Sequence, residues 1–324
     1  MPASDHTDPD IAANVKTPKY GAWLTTLRAP GIIRRMTPSF VVLGLHAIFG
    51  RIATRNLPRR RRFLQSVDDA KASSSMSVVV AIHDAPKVTR RCLTSLEHFA
   101  PQSEVILVDD GSKLSETTEI ISDFGHRMGW KIVRHEKPAG HSAACRDGAA
   151  VSTRPNLCLL NSDTVVTPWC WALINRALES DPKIGVLGPS TSNSSNPQSL
   201  PTAHELGRYW NDSQICAYAE SLRATAKEPN IVDLPWISGF ALFVRKNVWD
   251  ELGGFDPKLP DYGNEKELCT RVASGGYRLV WVRDAYIHHF AKQSYKPSIG
   301  EEEIRARVRA AEAYIGRKND AAVQ

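Results

Sequence analysis

This 324-residue sequence has no apolar run long enough to cross a bilayer. The stretch from Phe40 to Phe49 falls well short of the roughly 20 residues that a spanning helix needs. It does not open the chain and carries no small-residue cleavage site, which argues against a secretory signal. Low-complexity tracts and internal repeats are also missing, so repeat architectures are excluded. The six cysteines (Cys92, Cys145, Cys158, Cys170, Cys216 and Cys269) form no CxxC pair, which argues against zinc. Several fall inside predicted strands or helices, so reduced thiols in a cytosolic compartment are expected.

Acidic residues are absent between Asp10 and Asp68, where eleven Lys and Arg residues stand. The net charge of +6 therefore belongs to this segment, and subtracting those eleven leaves −5 elsewhere. A basic, partly apolar stretch over residues 11–67 suits either docking on an anionic membrane surface or a helical cap on the main domain. Nucleic acid is not expected, since interleaved aromatics and a recognition helix are lacking. Residues 1 to about 10 are polar, with three Asp, and should be disordered. The small residues from Ala70 to Ser75 read as a linker. The expected division is an extension over 1–75, a main domain over 76–295, and a charged helix and tail over 296–324.

What is present is a globular composition, 42% hydrophobic and 23% charged, at a length that can bury a large core. Apolar runs at Ser77–Ile82, Glu104–Val108, Lys131–Arg134 and Leu157–Leu160 read as strands. Helical periodicity separates them: after Pro86, after Ser115, and from Gly140-His141-Ser142 through Val151. That alternation predicts a mostly parallel sheet flanked by helices, with right-handed crossovers. Further on, a helix is expected from Pro168 to Leu178 and strands at Ile184–Leu187, Trp236–Val244, Tyr277–Trp281 and Ala285–Ile287. Residues 188–235 lose regularity, as a substrate loop or lid would, with a polar helical stretch near His204 to Ala226. Short helices are expected at Asn247–Leu252 and after Tyr262, and a charged helix from Glu301 to Arg317.

Chemistry concentrates where the strands end. The buried run Leu157 to Leu160 breaks into Asn161-Ser162-Asp163. This puts two oxygen ligands, spaced i and i+2, at the sheet edge where open α/β folds bind ligands. Such a pair suits a hard divalent cation holding a diphosphate; alone, it could equally be a polar turn. Further polar groups stand at Asp84, at Asp109-Asp110, and at Glu265 and Glu267.

Taken in order, these motifs resemble the family 2 glycosyltransferases of GT-A fold, whose nucleotide-binding half is Rossmann-like. The resemblance runs from Ser77 to Ser294. It rests on Ala81 to Asp84, Val108-Asp-Asp-Gly-Ser112, Gly140 to Gly148, Leu160-Asn-Ser-Asp-Thr-Val165, Trp236-Ile-Ser-Gly239, Gly253-Gly-Phe-Asp256, Gly263-Asn-Glu265 and His289. It implies transfer of a sugar from a nucleoside diphosphate donor to a saccharide or lipid-linked acceptor, in cell-surface polysaccharide or glycolipid synthesis. A cytoplasmic site, peripheral on the inner membrane face, would follow. Asp109 and Asp110 match the acidic pair that holds base and ribose. Ala81, His83, Asp84, Arg146, Ser162, Trp236, Ser238 and Gly239 fall on donor-binding segments. Asn161, Asp163 and His289 match the ligands of Mn²⁺ or Mg²⁺, with Asn161 a departure from the usual acid. The family's inverting chemistry needs a carboxylate base. Glu265 matches it, with Asn264 in place of the first acid of the pair, and a one-residue shift would nominate Glu267. The two amide departures keep open a weakened, nucleotide-sugar-binding scaffold of the same fold. A nucleotidyltransferase would favour a Gly-rich, Lys/Arg-bearing loop after the first strand, which Ile82-His-Asp-Ala-Pro86 is not.

Overall fold

The run Val78-Val79-Val80 is β-branched throughout and wholly buried, and it forms the spine of β1 (Met76–Ile82). In the computed structural model, described over residues 67–223, 230–291 and 300–323, β1 lies between two parallel neighbours. These are β2 (Glu104–Asp109) and β4 (Asn156–Asn161), and β3 (Lys131–Arg134) extends the parallel half beyond β2. The helices α2 (Pro86–Phe99), α3 (Ser115–Met128) and α4 (His141–Ala150) connect these strands, as the alternating pattern predicts. Pro86 opens α2, where its missing N–H costs nothing. Gly129, at φ +66, closes α3 in the left-handed conformation that glycine adopts without strain.

Beyond β4 the sheet turns mixed. β8 (Ala241–Arg245) runs antiparallel to both β4 and β6 (Ile184–Ser190), and β6 pairs in parallel with β9 (Arg278–His289). Two three-residue strands, β5 (Thr164–Val166) and β7 (Ile231–Asp233), pair antiparallel with β9. Helix α5 (Cys170–Ser180) follows β5, and α6 (Pro201–Leu206) and α7 (Asp212–Arg223) occupy the region read as irregular. Helices α8 (Lys246–Leu252), α9 (Asn264–Ser274) and α10 (Glu301–Val323) complete the order.

Three local readings need correction. Residues 70–73, expected as linker, belong to α1 (Val67–Ser73). Its Asp69 is 2% exposed and accepts the N–H groups of Trp169 and Ala172, capping α5 from a separate helix. The strand expected from Trp236 begins only at Ala241. Residues 236–240 are held in a loop by Gln198, whose Oε1 accepts the Ser238 N–H at 2.8 Å. The two strands expected at 277–287 are one twelve-residue strand: β9 pairs over Arg278–Val282 and again over Tyr286–His289, with the register of its pairing to β6 shifting between the two stretches. The extension is outside the described residues up to position 66, as are residues 224–229, 292–299 and 324. What is described falls within one compact unit, Gln65–Gln324. Among the described residues no helix is long and apolar enough to cross a membrane.

Candidate active site

The registers Ala81↔Asn161 and Ile82↔Asp109 bring the carboxyl ends of β1, β2 and β4 to one level. Above that edge is a cavity of about 690 Å³, within the range of small-molecule sites. Ala81, His83 and Asp110 line it from the first two strands, and Asn161, Ser162 and Asp163 from the end of β4. Ser238 and Gly239 enter from the loop before β8, Glu265 from α9 and His289 from β9. Ten of the sequence-predicted residues therefore line one cavity.

The pairing of β5 with β9 brings Asp163 to His289. The register Thr164↔His289 sets the preceding residue, Asp163, beside the imidazole, and the Phe290 N–H donates to the Asp163 carbonyl at 2.9 Å. His289 Nε2 is 3.2 Å from Asp163 Oδ1, and its Nδ1 is 2.9 Å from the carbonyl of Asn193. A carbonyl can only accept, so Nδ1 carries a proton. In the neutral tautomer Nε2 is then a lone pair facing a carboxylate oxygen, an arrangement that calls for a proton or a cation between them. Burial alone would lower the His289 pKa, but the charge and hydrogen bond of Asp163 and the Asn193 carbonyl outweigh it and raise it. Phe240 stacks on the ring at 5.3 Å and fixes its plane.

Among the described residues no group of three or more His, Cys, Asp or Glu is placed to hold a metal ion. A divalent cation here would need the Asn161 amide oxygen as third protein ligand, beside Asp163 and His289. This mixed oxygen and imidazole set fits Mn²⁺ or Mg²⁺, and the backbone hydrogen bond that aims the His289 ring is the outer support such ligands use.

The two acids of α9 are in different surroundings. Glu265 faces the cavity, and burial raises its pKa. Gly239 packs against it, with room for a Cβ only in contact with the Glu265 side chain at 3.5–3.7 Å. Glu267 is 2% exposed and points away, paired with Arg271 and, at 2.5 Å, with Lys318 of α10. Arg271 also donates to the carbonyls of Leu252 and Gly254, so Glu267 fastens the Gly253-Gly254 turn.

Asp84, Asp109, Arg146 and Trp236, expected at the donor, do not line this cavity. Asp84 accepts the N–H groups of Lys113 and Leu114 at 2.9 Å each, which holds Asp84 and Ala85 in left-handed conformations. Asp109 accepts the Ser112 N–H and pairs with Arg134. Arg146 lies on α4 with a buried Nε, and the Trp236 ring stands 4.9 Å from the Lys266 ammonium. Asp110 does reach the cavity, with its carboxylate accepting the Ala139 and Gly140 N–H groups and meeting His135 at 2.7 Å.

The sequence model for glycosyl transferase family 2 matches residues 77–241, just over half of the chain. The chain belongs to glycosyl transferase family 2. Polypeptide N-acetylgalactosaminyltransferase 5 of Caenorhabditis elegans is 29% identical over 261 residues, covering 74% of this chain and 41% of the relative. The chain thus spans well under two thirds of that relative's length. The crystal structure of GalNAc-T7 with UDP, GalNAc and Mn²⁺ superposes at TM-score 0.52 and 20% identity, over 66% of this chain and 43% of that one. A mannosyltransferase from Pyrobaculum calidifontis, in complex with GDP-Man and Mn²⁺, superposes at TM-score 0.50 and 16% identity, over 82% and 68%. These likenesses show the GT-A fold in this family 2 chain.

The family 2 cavity also contains residues that sequence reasoning missed. Asn193, Ser194 and Ser195 form a wall from the irregular stretch after β6, and Asp261 and Tyr262 stand before α9. Glu301, Ile304 and Arg305 come from the first turns of α10, which lies beyond the matched region. His141 opens α4 and lines the cavity together with Asn161 and Asn264, and burial lowers its pKa. Its one sequence signal is its place after Gly140, whose φ of +93 turns the chain into the helix.

Proposed function

We propose that this chain is a metal-dependent, inverting glycosyltransferase that moves a sugar from a nucleoside diphosphate donor to a hydroxyl acceptor. The observation that carries the reading is the convergence of Asp163, His289 and Glu265 on one cavity, at the sheet edge where such folds bind nucleotides. Asn161, Asp163 and His289 are the residues that would hold Mn²⁺ or Mg²⁺, which when bound would offset charge on the departing diphosphate.

The other cavity carboxylates are engaged. Asp110 is met by His135 and two N–H groups, Asp163 by His289, Asp261 by Arg307, and Glu301 by Arg305. No ion pair joins Glu265 to a described residue. Its raised pKa makes it the stronger base, suited to take the acceptor hydroxyl's proton as the oxygen attacks the anomeric carbon. One such base, with displacement from the face opposite the leaving group, gives inversion. The acceptor in this reading is a saccharide or lipid-linked sugar of the cell surface, brought close by residues 11–67 on an anionic membrane.

Thermal-shift screening of UDP-, dTDP- and GDP-sugars, with and without Mn²⁺, tests the binding half. A donor at 100 times its Kd adds about 2.7 kcal/mol, which for a domain of this size raises Tm by about 5–10 °C. Proton NMR of the product's anomeric coupling tests inversion. If no nucleotide sugar stabilises the protein, the reading fails; binding without turnover marks a scaffold instead.

A further inference from the structure

The strip from Trp236 to Gly239 is not a strand, and at three successive residues a side chain from elsewhere takes up a backbone group. The Ser238 N–H donates to Gln198 Oε1 at 2.8 Å, and the Trp236 carbonyl accepts from Asn196 Nδ2 at 3.2 Å. Between them the Ile237 N–H donates at 3.4 Å to Cys269 Sγ, on α9 about one turn beyond Glu265. The strip is thus wedged between the loop after β6 and the helix that bears Glu265. Two amides make the loop side of this wedge one piece. Asn196 Nδ2 also donates to Gln198 Oε1 at 3.0 Å, while Asn196 Oδ1 accepts the Gln198 N–H at 3.1 Å and the Ser194 hydroxyl at 2.8 Å. Gln198 is wholly buried, and its Nε2 donates to the Pro189 carbonyl at 2.8 Å. Donors on Oε1 and an acceptor at Nε2 fix which way this amide points. Gly188 leaves the room for it: a Cβ there would stand 2.6 Å from Gln198 Nε2 and 2.5 Å from Ile237 Cγ2.

The same loop begins by holding His289. Ser192 Oγ donates to the His289 carbonyl at 2.9 Å and accepts its N–H at 3.1 Å, and the Asn193 carbonyl meets its Nδ1. The strip, for its part, ends at Glu265. A Cβ on Gly239 would stand 3.5–3.7 Å from the Cβ, Cγ and carboxyl carbon of Glu265, so this backbone lies along the whole side chain. We propose that Gln198 is a positioning residue for Glu265, clamping Ser238 and Gly239 as a fixed surface against its side chain from the loop that also holds His289. Glu265 has no ion-pair partner among the described residues, so packing sets where its carboxylate stands. Proton removal during attack on the anomeric carbon tolerates little misplacement, and a shift of about 1 Å can cost about 100-fold in rate. An apolar side chain at 198 would leave the Ser238 N–H and the Pro189 carbonyl without these partners in a closed site. Leaving them unpaired is costly, and the strip would shift to relieve it.

This inference rests on Glu265 being the base, and a double-mutant cycle separates the two. Release of nucleoside diphosphate is measured with Mn²⁺, an acceptor sugar and whichever of the UDP-, dTDP- and GDP-sugars stabilises the parent. The full-length proteins compared are the parent, Gln198→Met, Glu265→Gln and the double variant, each normalised to the donor sites found by calorimetric titration. Gln198→Met keeps the side chain's length and removes both polar atoms of the amide. It should lower kcat by about 100-fold with donor affinity retained, the mark of a displaced base rather than of lost binding. Added to Glu265→Gln it should cost nothing further, because two changes that act through one group are not additive. A merely structural loss would instead multiply. If Gln198→Met does not fold, Asn196→Ala replaces it, since it frees the Trp236 carbonyl from a half-buried position and should show the same non-additivity. A loss that multiplies in the double variant, or a Gln198→Met protein at the parent rate, overturns the role of Gln198 and leaves Glu265 as the base. A parent without turnover, or a Glu265→Gln protein at the parent rate, overturns both.

Discussion

Glu265 and Glu267 lie two residues apart on one helix, and their surroundings predict opposite responses to the same substitution. Glu267→Gln leaves Arg271 and Lys318 facing a neutral amide in a nearly closed site. Losing charge-assisted bonds of this kind costs about 2 kcal/mol, and Tm should fall by about 4–8 °C. Glu265→Gln should leave Tm unchanged or raise it. The sign follows from the raised pKa: above that value the folded state bears the cost of an ionised, desolvated carboxylate, which the amide removes. Differential scanning calorimetry of both variants at pH 7 checks the pair, and a larger loss in Glu265→Gln would reverse the assignment. Asp163→Ala should lose Mn²⁺ binding, measured by calorimetric titration with UDP, while keeping Tm near the parent value. Strand position made Asn161 and Asp163 legible in sequence, since a buried apolar run ends there. The separation of Glu265 from Glu267 was not legible, because it depends on Lys318 arriving from a helix 51 residues away.

At the scale of elements, the four parallel strands were readable to within a residue or two because unbroken apolar runs, bounded by polar turns, specify them. β5 was not: three residues pair only because β9 is extended beside them, and that register is a non-local fact. Trp236 to Phe240 misled for the opposite reason. Its apolar residues face the core, yet Gln198 and Asn196 take up its backbone groups and hold it as a cavity loop. Helix α10 is fastened by Lys318 to Asp256 and Glu267, by the Tyr314 hydroxyl to Asp256 and by Arg307 to Asp261. Burial would raise the Asp256 pKa, but Lys318, the Lys258 N–H and Tyr314 outweigh it and bring it down to about 2. The folded-state value is thus below the ordinary 3.8. The stability Asp256 contributes is complete above the ordinary value and is lost as pH falls towards 2. Asp256→Asn should therefore melt earlier than the parent at pH 7, with the gap closing by pH 2. A gap that persists unchanged in acid would contradict the ion-pair account of how α10 is held.

For the whole molecule, charge is divided between a basic segment and a net acidic remainder. Each Lys or Arg near an anionic leaflet contributes about 1 kcal/mol, so full-length protein should sediment with anionic vesicles at low salt and be released as salt screens the charge. Indifference to vesicles at low salt would favour the cap reading of residues 11–67. The central claim concerns the cavity itself, and its most direct measurement is nucleoside diphosphate release in parent and Glu265→Gln protein side by side. Both proteins receive the donor that stabilises the parent, an acceptor sugar and Mn²⁺. The account predicts release by the parent that chelator abolishes. It also predicts a fall of about 100-fold or more in Glu265→Gln with donor affinity retained, the signature of a lost general base. Release that survives chelator, or a Glu265→Gln protein that turns over at the parent rate, would contradict it.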